Sequence, residues 1–139
     1  MRFEPKRQSP LSTGLAAAGV DHVRLQYEYL VAHDLDGYLS LLDQDMTVHG
    51  PGGPEGRGRD EVEELRRRQL RGSSMACVVS DVFASGTKVA AVGRYTGDAL
   101  HGRPVDAEFC AVFTLSANGL LLSEKTYYCV EPPGLDWRR

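Results

Sequence analysis

Apolar residues recur at helical spacing in the first part of the chain and alternate like strands in the rest. Val20, Val23, Tyr27, Leu30 and Val31 fall on one face of a long helix. Asp34 then caps a shorter helix in which Leu35, Leu39 and Leu42 repeat. The run MTVHG reads as a strand, and PGGPEGRG, residues 51–58, cannot continue it. Asp60 opens a third helix with Glu63 three residues on, as in a capping box, and Val62, Leu65 and Gln69 face one way. Arg66, Arg67, Arg68 and Arg71 close that helix, where cations suit its dipole. Such a run reads first as a solvated face and second as a phosphate or coenzyme A site.

From Met75 the period changes to two. MACVVSDVFA, TKVAAVGRYTG, RPVDAEFCAVFTLS and GLLLSEKTYYCV are strand-like runs, separated by turns at SGT, GDALHGR and SANG. Consecutive hairpins give an antiparallel sheet, and three helices ahead of a meander give an α+β domain with the helices on one face. Residues 1–18 read as a mobile arm, 19–131 as the domain and 132–139 as a tail, with Trp137 free to fold back onto the body.

Composition narrows the picture. A chain of 139 residues is one domain's length and can bury a core. A net charge of −3 gives no general electrostatic reason to bind nucleic acid. No stretch is long enough to span a membrane, and the LAAAGV run after Arg2, Lys6 and Arg7 is too diluted for a signal peptide, so a cytoplasmic protein is expected. Cys77, Cys110 and Cys129 are odd in number and lie in apolar runs, as small hydrophobes of a reducing compartment do. The four histidines are scattered without metal-ligand spacing, and glycine-rich nucleotide loops and serine-nucleophile motifs are absent. Neither a metal nor a cofactor is expected.

One stretch also carries a resemblance. AHDLDGYLSLLDQDMTVHGP, with Ala32, Asp34, Asp36, Leu41, Leu42, Asp45, Val48 and Pro51, and then GRD at Gly58 to Asp60, resembles the opening of the ketosteroid isomerase and SnoaL-like cyclase families of the nuclear transport factor 2-like superfamily. The similarity runs over roughly residues 20 to 131. It implies a strongly curved sheet with helices across its mouth, a cone with a deep apolar pocket, and a homodimer formed through the outer face of the sheet. Aligned residue by residue, the general-base Asp of ketosteroid isomerase falls at Gly50, its oxyanion Tyr at Gln26 and its oxyanion Asp at Ala111. None matches, so that reaction is not expected here.

Other residues remain for chemistry. Leu122, Glu124, Thr126 and Tyr128 share a face of the last strand, which the resemblance turns into the pocket. Glu124 buried among apolar residues is the leading acid/base candidate, and pairing with an arginine is the competing reading. His49, beside the lost Asp position, is its candidate partner, one step out of phase unless the strand bulges. In the strand 103–116, Ala107, Phe109, Ala111, Phe113 and Leu115 form one wholly apolar row, which the resemblance places inside. A slip of one residue would bring in Glu108 as an alternative acid/base. Tyr27, Tyr95, Phe109 and Tyr128 are candidates for contact with substrate. The function expected is a cofactor-independent cyclase, isomerase or epoxide-opening enzyme for a hydrophobic polyketide- or terpenoid-like molecule in natural-product biosynthesis. A binding or dimerisation domain without catalysis is the alternative.

Overall fold

A computed structural model describes residues 10–50, 53–72, 76–98 and 104–129. His101 and Trp137 lie outside the described residues. Among the described residues three helices, α1 (Pro10–Val31), α2 (Leu35–Ser40) and α3 (Arg59–Gly72), accompany six strands: β1 (Leu42–Gly50), β2 (Gly53–Arg57), β3 (Ala76–Ser85), β4 (Lys88–Asp98), β5 (Pro104–Leu115) and β6 (Leu121–Tyr128). α1 starts at Pro10, inside the segment read as an arm. The Gly/Pro run after β1 is not only a turn. It returns as β2, a short edge strand antiparallel to β1, where its missing donors and side chains cost least.

The strands form one sheet in the order β2-β1-β6-β5-β4-β3. β3 to β6 are the expected antiparallel meander, and β1 docks parallel to β6. The sheet is curled and unclosed. Its curl has a visible cause between β3 and β4, where a bulge at Ser80 stands beside Gly93. A Cβ on Gly93 would strike the carbonyl of Val78 and come within 2.8 Å of the Phe109 ring, so only glycine lets the strands bend this tightly.

Helix ends follow local chemistry. The Asp34 side chain accepts from the Gly37 N–H at 2.9 Å, which caps α2 as expected. α3 begins one residue earlier than Asp60, after Gly58 in the left-handed region (φ +84°). The carboxylate that reaches back is Glu61, accepting from the Arg57 N–H at 3.3 Å, while Glu63 pairs with Arg67 instead. Val23 and Tyr27 of α1, Tyr38 and Leu39 of α2, and Val62 and Leu65 of α3 bury against Met46, Val48, Val89, Ala91, Phe109, Ala111, Phe113 and Leu121. Val31, expected on the same stripe, is exposed because α1 ends there.

Candidate active site

The inner face of the sheet is built by register. Across β4, β5 and β6, Gly93, Phe109 and Tyr128 are neighbours, then Ala91, Ala111 and Thr126, then Val89, Phe113 and Glu124; Val48 of β1 lies beside Glu124. The apolar row of β5 therefore faces inward, as the resemblance implied. On β6 the row differs at one end. A bulge after Thr114 sets Leu115 opposite Leu121, so Leu121 is fully buried in the place expected for Leu122.

Glu124 is 4% exposed and is ion-paired with Arg66, itself 9% exposed. The Arg66 guanidinium also donates from Nε to the Tyr38 hydroxyl at 3.0 Å and from Nη1 to Oε1 of Gln69 at 3.0 Å. Burial alone would depress the pKa of Arg66, but Glu124 and Tyr38 outweigh it and hold the guanidinium charged well above its ordinary range. Glu124 is thus buried as expected, and the pairing with an arginine that the sequence left open as the competing reading is present. The expectation that Arg66 belongs to a solvated cluster is corrected. Arg66 follows Val62 by four residues and so shares its buried stripe, whereas Arg67, Arg68 and Arg71 are exposed. That spacing was the readable signal, obscured by the neighbouring charges.

Around the pair stand four tyrosines. Tyr27 on α1 meets Phe113 edge-on, with ring centroids 6.0 Å apart, and Phe109 at 5.8 Å. Tyr95 stacks on Phe109 at 4.5 Å, and Tyr128 lies 5.9 Å from Tyr95. Burial first and the charge of Glu124 second raise the pKa of Tyr27, Tyr95 and Tyr128, so each remains a neutral donor. Tyr38 is raised chiefly by burial, against the opposing charge of Arg66. Burial also pushes the Cys77 thiol up to about 11, which makes it a poor nucleophile. Among the described residues two buried side-chain polar atoms have no hydrogen-bond partner: the Tyr27 hydroxyl and Nε2 of Gln26. Such atoms cost stability unless something meets them.

The other candidates fall elsewhere. His49 pairs with Lys125, one step beyond Val48 and Glu124, and faces away from the inner row. It lines an outer groove of about 580 Å³ with Asp45, Thr47, Arg57 and Gly58, so the structure does not bring it to Glu124. The strand bulge that would have turned it inward is present, but on β2, where Glu55 is the extra residue. Glu108 also faces outward. It sits opposite Arg94, accepts from it at 3.2 Å and is mostly exposed, so the alternative acid/base is excluded from the inner face. His22 is half-buried; its Nδ1 lies 2.8 Å from the Gly119 carbonyl and ties α1 to the β5–β6 turn. His33 ends α1 in the left-handed region (φ 57°). Among the described residues no three His, Cys, Asp or Glu side chains gather to hold a metal, and no helix is long and apolar enough to cross a membrane.

A curled antiparallel-dominated sheet with helices packed against it is the α+β fold shared with nuclear transport factor 2-like proteins of known structure. The chain belongs to the SnoaL-like domain family, whose model matches residues 23–124. Solved structures share the fold. A putative SnoaL-like polyketide cyclase from Jannaschia sp. CCS1 is 17% identical with a TM-score of 0.73, covering 89% of this chain and 91% of that one. An LEH-like epoxide hydrolase from M. tuberculosis is 18% identical with a TM-score of 0.72, covering 82% and 84%. A Δ5-3-ketosteroid isomerase from Mycobacterium sp. is 16% identical with a TM-score of 0.70, covering 81% and 93%. No curated protein matches the sequence.

Proposed function

We propose that this protein is a cofactor-independent acid/base enzyme that cyclises, isomerises or opens an epoxide in a hydrophobic polyketide- or terpenoid-like molecule. One observation supports this most: a charged pair, Glu124 and Arg66, is held in the apolar interior beside a Tyr27 hydroxyl that is buried without a partner. Stability does not explain such a pair, because well-packed apolar residues in its place are often neutral or stabilising. Titratable groups arranged at a cost to the fold are a mark of chemistry.

In this reading the substrate skeleton lies against Phe109, Tyr95 and Tyr128. Tyr27 donates a hydrogen bond to its oxygen where negative charge develops. Glu124, as the anionic half of an ion pair, accepts a proton and does not begin as a donor. Arg66 fixes the carboxylate in place and keeps its partner charge close after the transfer. Neighbours of the same fold are named as a polyketide cyclase, an epoxide hydrolase and a ketosteroid isomerase, which supports a small hydrophobic substrate with an oxygen function. Three free cysteines support a reducing compartment such as the cytoplasm. Val78, Phe83, Val92 and Tyr127 are exposed and belong to the outer face by strand register, which supports a homodimer formed there. Light scattering that finds only monomer at micromolar concentration would contradict the dimer.

The test is turnover of a panel of terpene epoxides, linear polyketide mimics and 3-ketosteroids, followed by mass spectrometry and chiral chromatography. Wild type converts at least one compound, and Glu124→Gln loses conversion while still binding it. A second reading, a binding domain without catalysis, is favoured by the tie between Glu124 and Arg66 and by Gly50, Gln26 and Ala111 at the three unmatched positions. Tight binding with no conversion of any compound would establish that second reading.

A further inference from the structure

Glu55 has no part in the site described above, yet two local features aim it there. Val48 is opposite Gly56 and His49 is opposite Pro54, so Glu55 is the extra residue of a bulge on β2. A bulged residue re-aims its side chain. Here the side chain crosses Gly50: a Cβ built on Gly50 would stand 2.9 Å from Oε2 of Glu55 and nearer still to Oε1 and Cδ. Gly50 follows Val48 by two residues on β1 and so shares the face on which Val48 and Glu124 are neighbours and both buried. The Glu55 carboxylate thus fills the space that a side chain at position 50 would occupy.

Its charge also reaches the aromatic floor. Burial, then Glu124, then Glu55 after the opposing Arg66, set the upward shift of the Tyr128 hydroxyl. Tyr128 adjoins Tyr95, which stacks on Phe109. This floor therefore has two carboxylates acting on it, and they differ. Glu124 is buried and tied to Arg66, whereas Glu55 is exposed and forms no ion pair among the described residues.

We propose that Glu55 is a second catalytic carboxylate, standing in the place of the side chain that Gly50 lacks and accepting a proton from a substrate that lies across Tyr95 and Tyr128. This rests on the reading of the protein as an acid/base enzyme. Because Glu55 is exposed, it can pass the proton on to water, which the buried Glu124 cannot do directly. The substrate class is narrowed to molecules with an acidic C–H, or a bound water, at the solvent side of the floor.

The probe is 5-nitrobenzisoxazole, together with any panel compound that wild type converts. With this probe a carboxylate takes the ring C–H proton, that electron pair forms the nitrile, and the N–O bond breaks to release a phenolate. A positioned base contributes about a hundredfold or more, so Glu55→Gln lowers kcat/KM at least about tenfold. Glu55→Ala does the same, and the double variant Gly50→Asp/Glu55→Ala recovers most of the loss. Gly50 is not in the left-handed region, so an aspartate is accommodated once the Glu55 side chain is gone. Glu108→Gln, on the outer face, leaves the rate unchanged, and circular dichroism melts confirm that all variants fold. A wild-type rate in Glu55→Gln, or no recovery in the double variant, overturns the role of Glu55. Loss in Glu124→Gln with Glu55→Gln unaffected overturns it too, yet leaves the acid/base enzyme standing. Wild type that converts neither probe nor panel overturns both.

Discussion

Removing the Arg66 guanidinium should destabilise this protein far more than removing any exposed arginine. The Arg66 and Glu124 side chains are 11% and 6% exposed, so neither half of the pair is screened by water. Arg66→Met keeps most of the aliphatic stem but leaves Glu124 as a buried charge without a counter-ion and the Tyr38 hydroxyl without its donor. Breaking a buried pair from one side costs about 3–5 kcal/mol. For a domain of this size that lowers the thermal midpoint by roughly 10–17 °C. Arg66→Met combined with Glu124→Leu removes both charges, and its cost should fall well below the sum of the single variants, since no orphaned charge remains. Arg94→Ala is the control. Arg94 pairs with Asp106 and Glu108 on the outer face, in water, and its loss should leave the midpoint unchanged. Thermal unfolding followed by circular dichroism measures wild type, Arg66→Met, Glu124→Leu, the double variant and Arg94→Ala. If Arg66→Met shifts the transition no more than Arg94→Ala does, the guanidinium is solvated in solution and the reasoning built on a buried pair is wrong.

Three further outcomes follow from the packing. Tyr27, Tyr38, Tyr95 and Tyr128 have raised pKa values in the folded state, so their neutral forms stabilise it fully below the unfolded value of about 10. Stability should therefore fall as pH climbs above 10, Tyr27, Tyr38 and Tyr95 each adding up to about 1.4 kcal/mol per pH unit until its folded pKa is reached and Tyr128, 40% exposed, adding less because water screens it; tyrosinate absorbance should rise together with unfolding, and stability that stays flat between pH 10 and 11.5 contradicts this. Gly93→Ala should cost about 1–3 kcal/mol, because the new methyl meets the Val78 carbonyl and the Phe109 ring, and a backbone oxygen in a paired strand cannot move aside; an unchanged urea midpoint would show the curl to be softer than described. Cys129 is exposed whereas the Cys77 thiol is pushed up to about 11 by burial, so at pH 8 a disulfide reagent should label Cys129 rapidly and Cys77 only on unfolding, as peptide mass mapping would reveal.

Much of the fold was legible because it rests on local rules. The 3.6 period of Val23 and Tyr27, the Asp34 cap and the alternation of residues 105–115 each need only a few neighbouring residues to be read. Alternation along β5 even separated the inward Phe109 row from outward Glu108 once the family's shape was supposed. Local rules failed where a bulge intervened. Leu121 took the place of Leu122, and the run after Gly50 returned as β2 with Glu55 left over, because one inserted residue inverts every side chain that follows it and nothing in the composition marks the insertion.

The sequence alone determined most of the helix faces and the meander, and the family resemblance turned Glu124 to the inner row of β6. Only the tertiary structure decided what that glutamate meets. Arg66 and Glu124 are 58 residues apart, and they touch because α3 lies against β1, which pairs with β6. His49 was separated from Glu124 by the same docking, which set it beside Lys125. Periodicity fixes the direction in which a side chain points from its own element. The charge it faces there depends on which elements pack together, and that is settled by the burial of the whole core rather than by any stretch of chain.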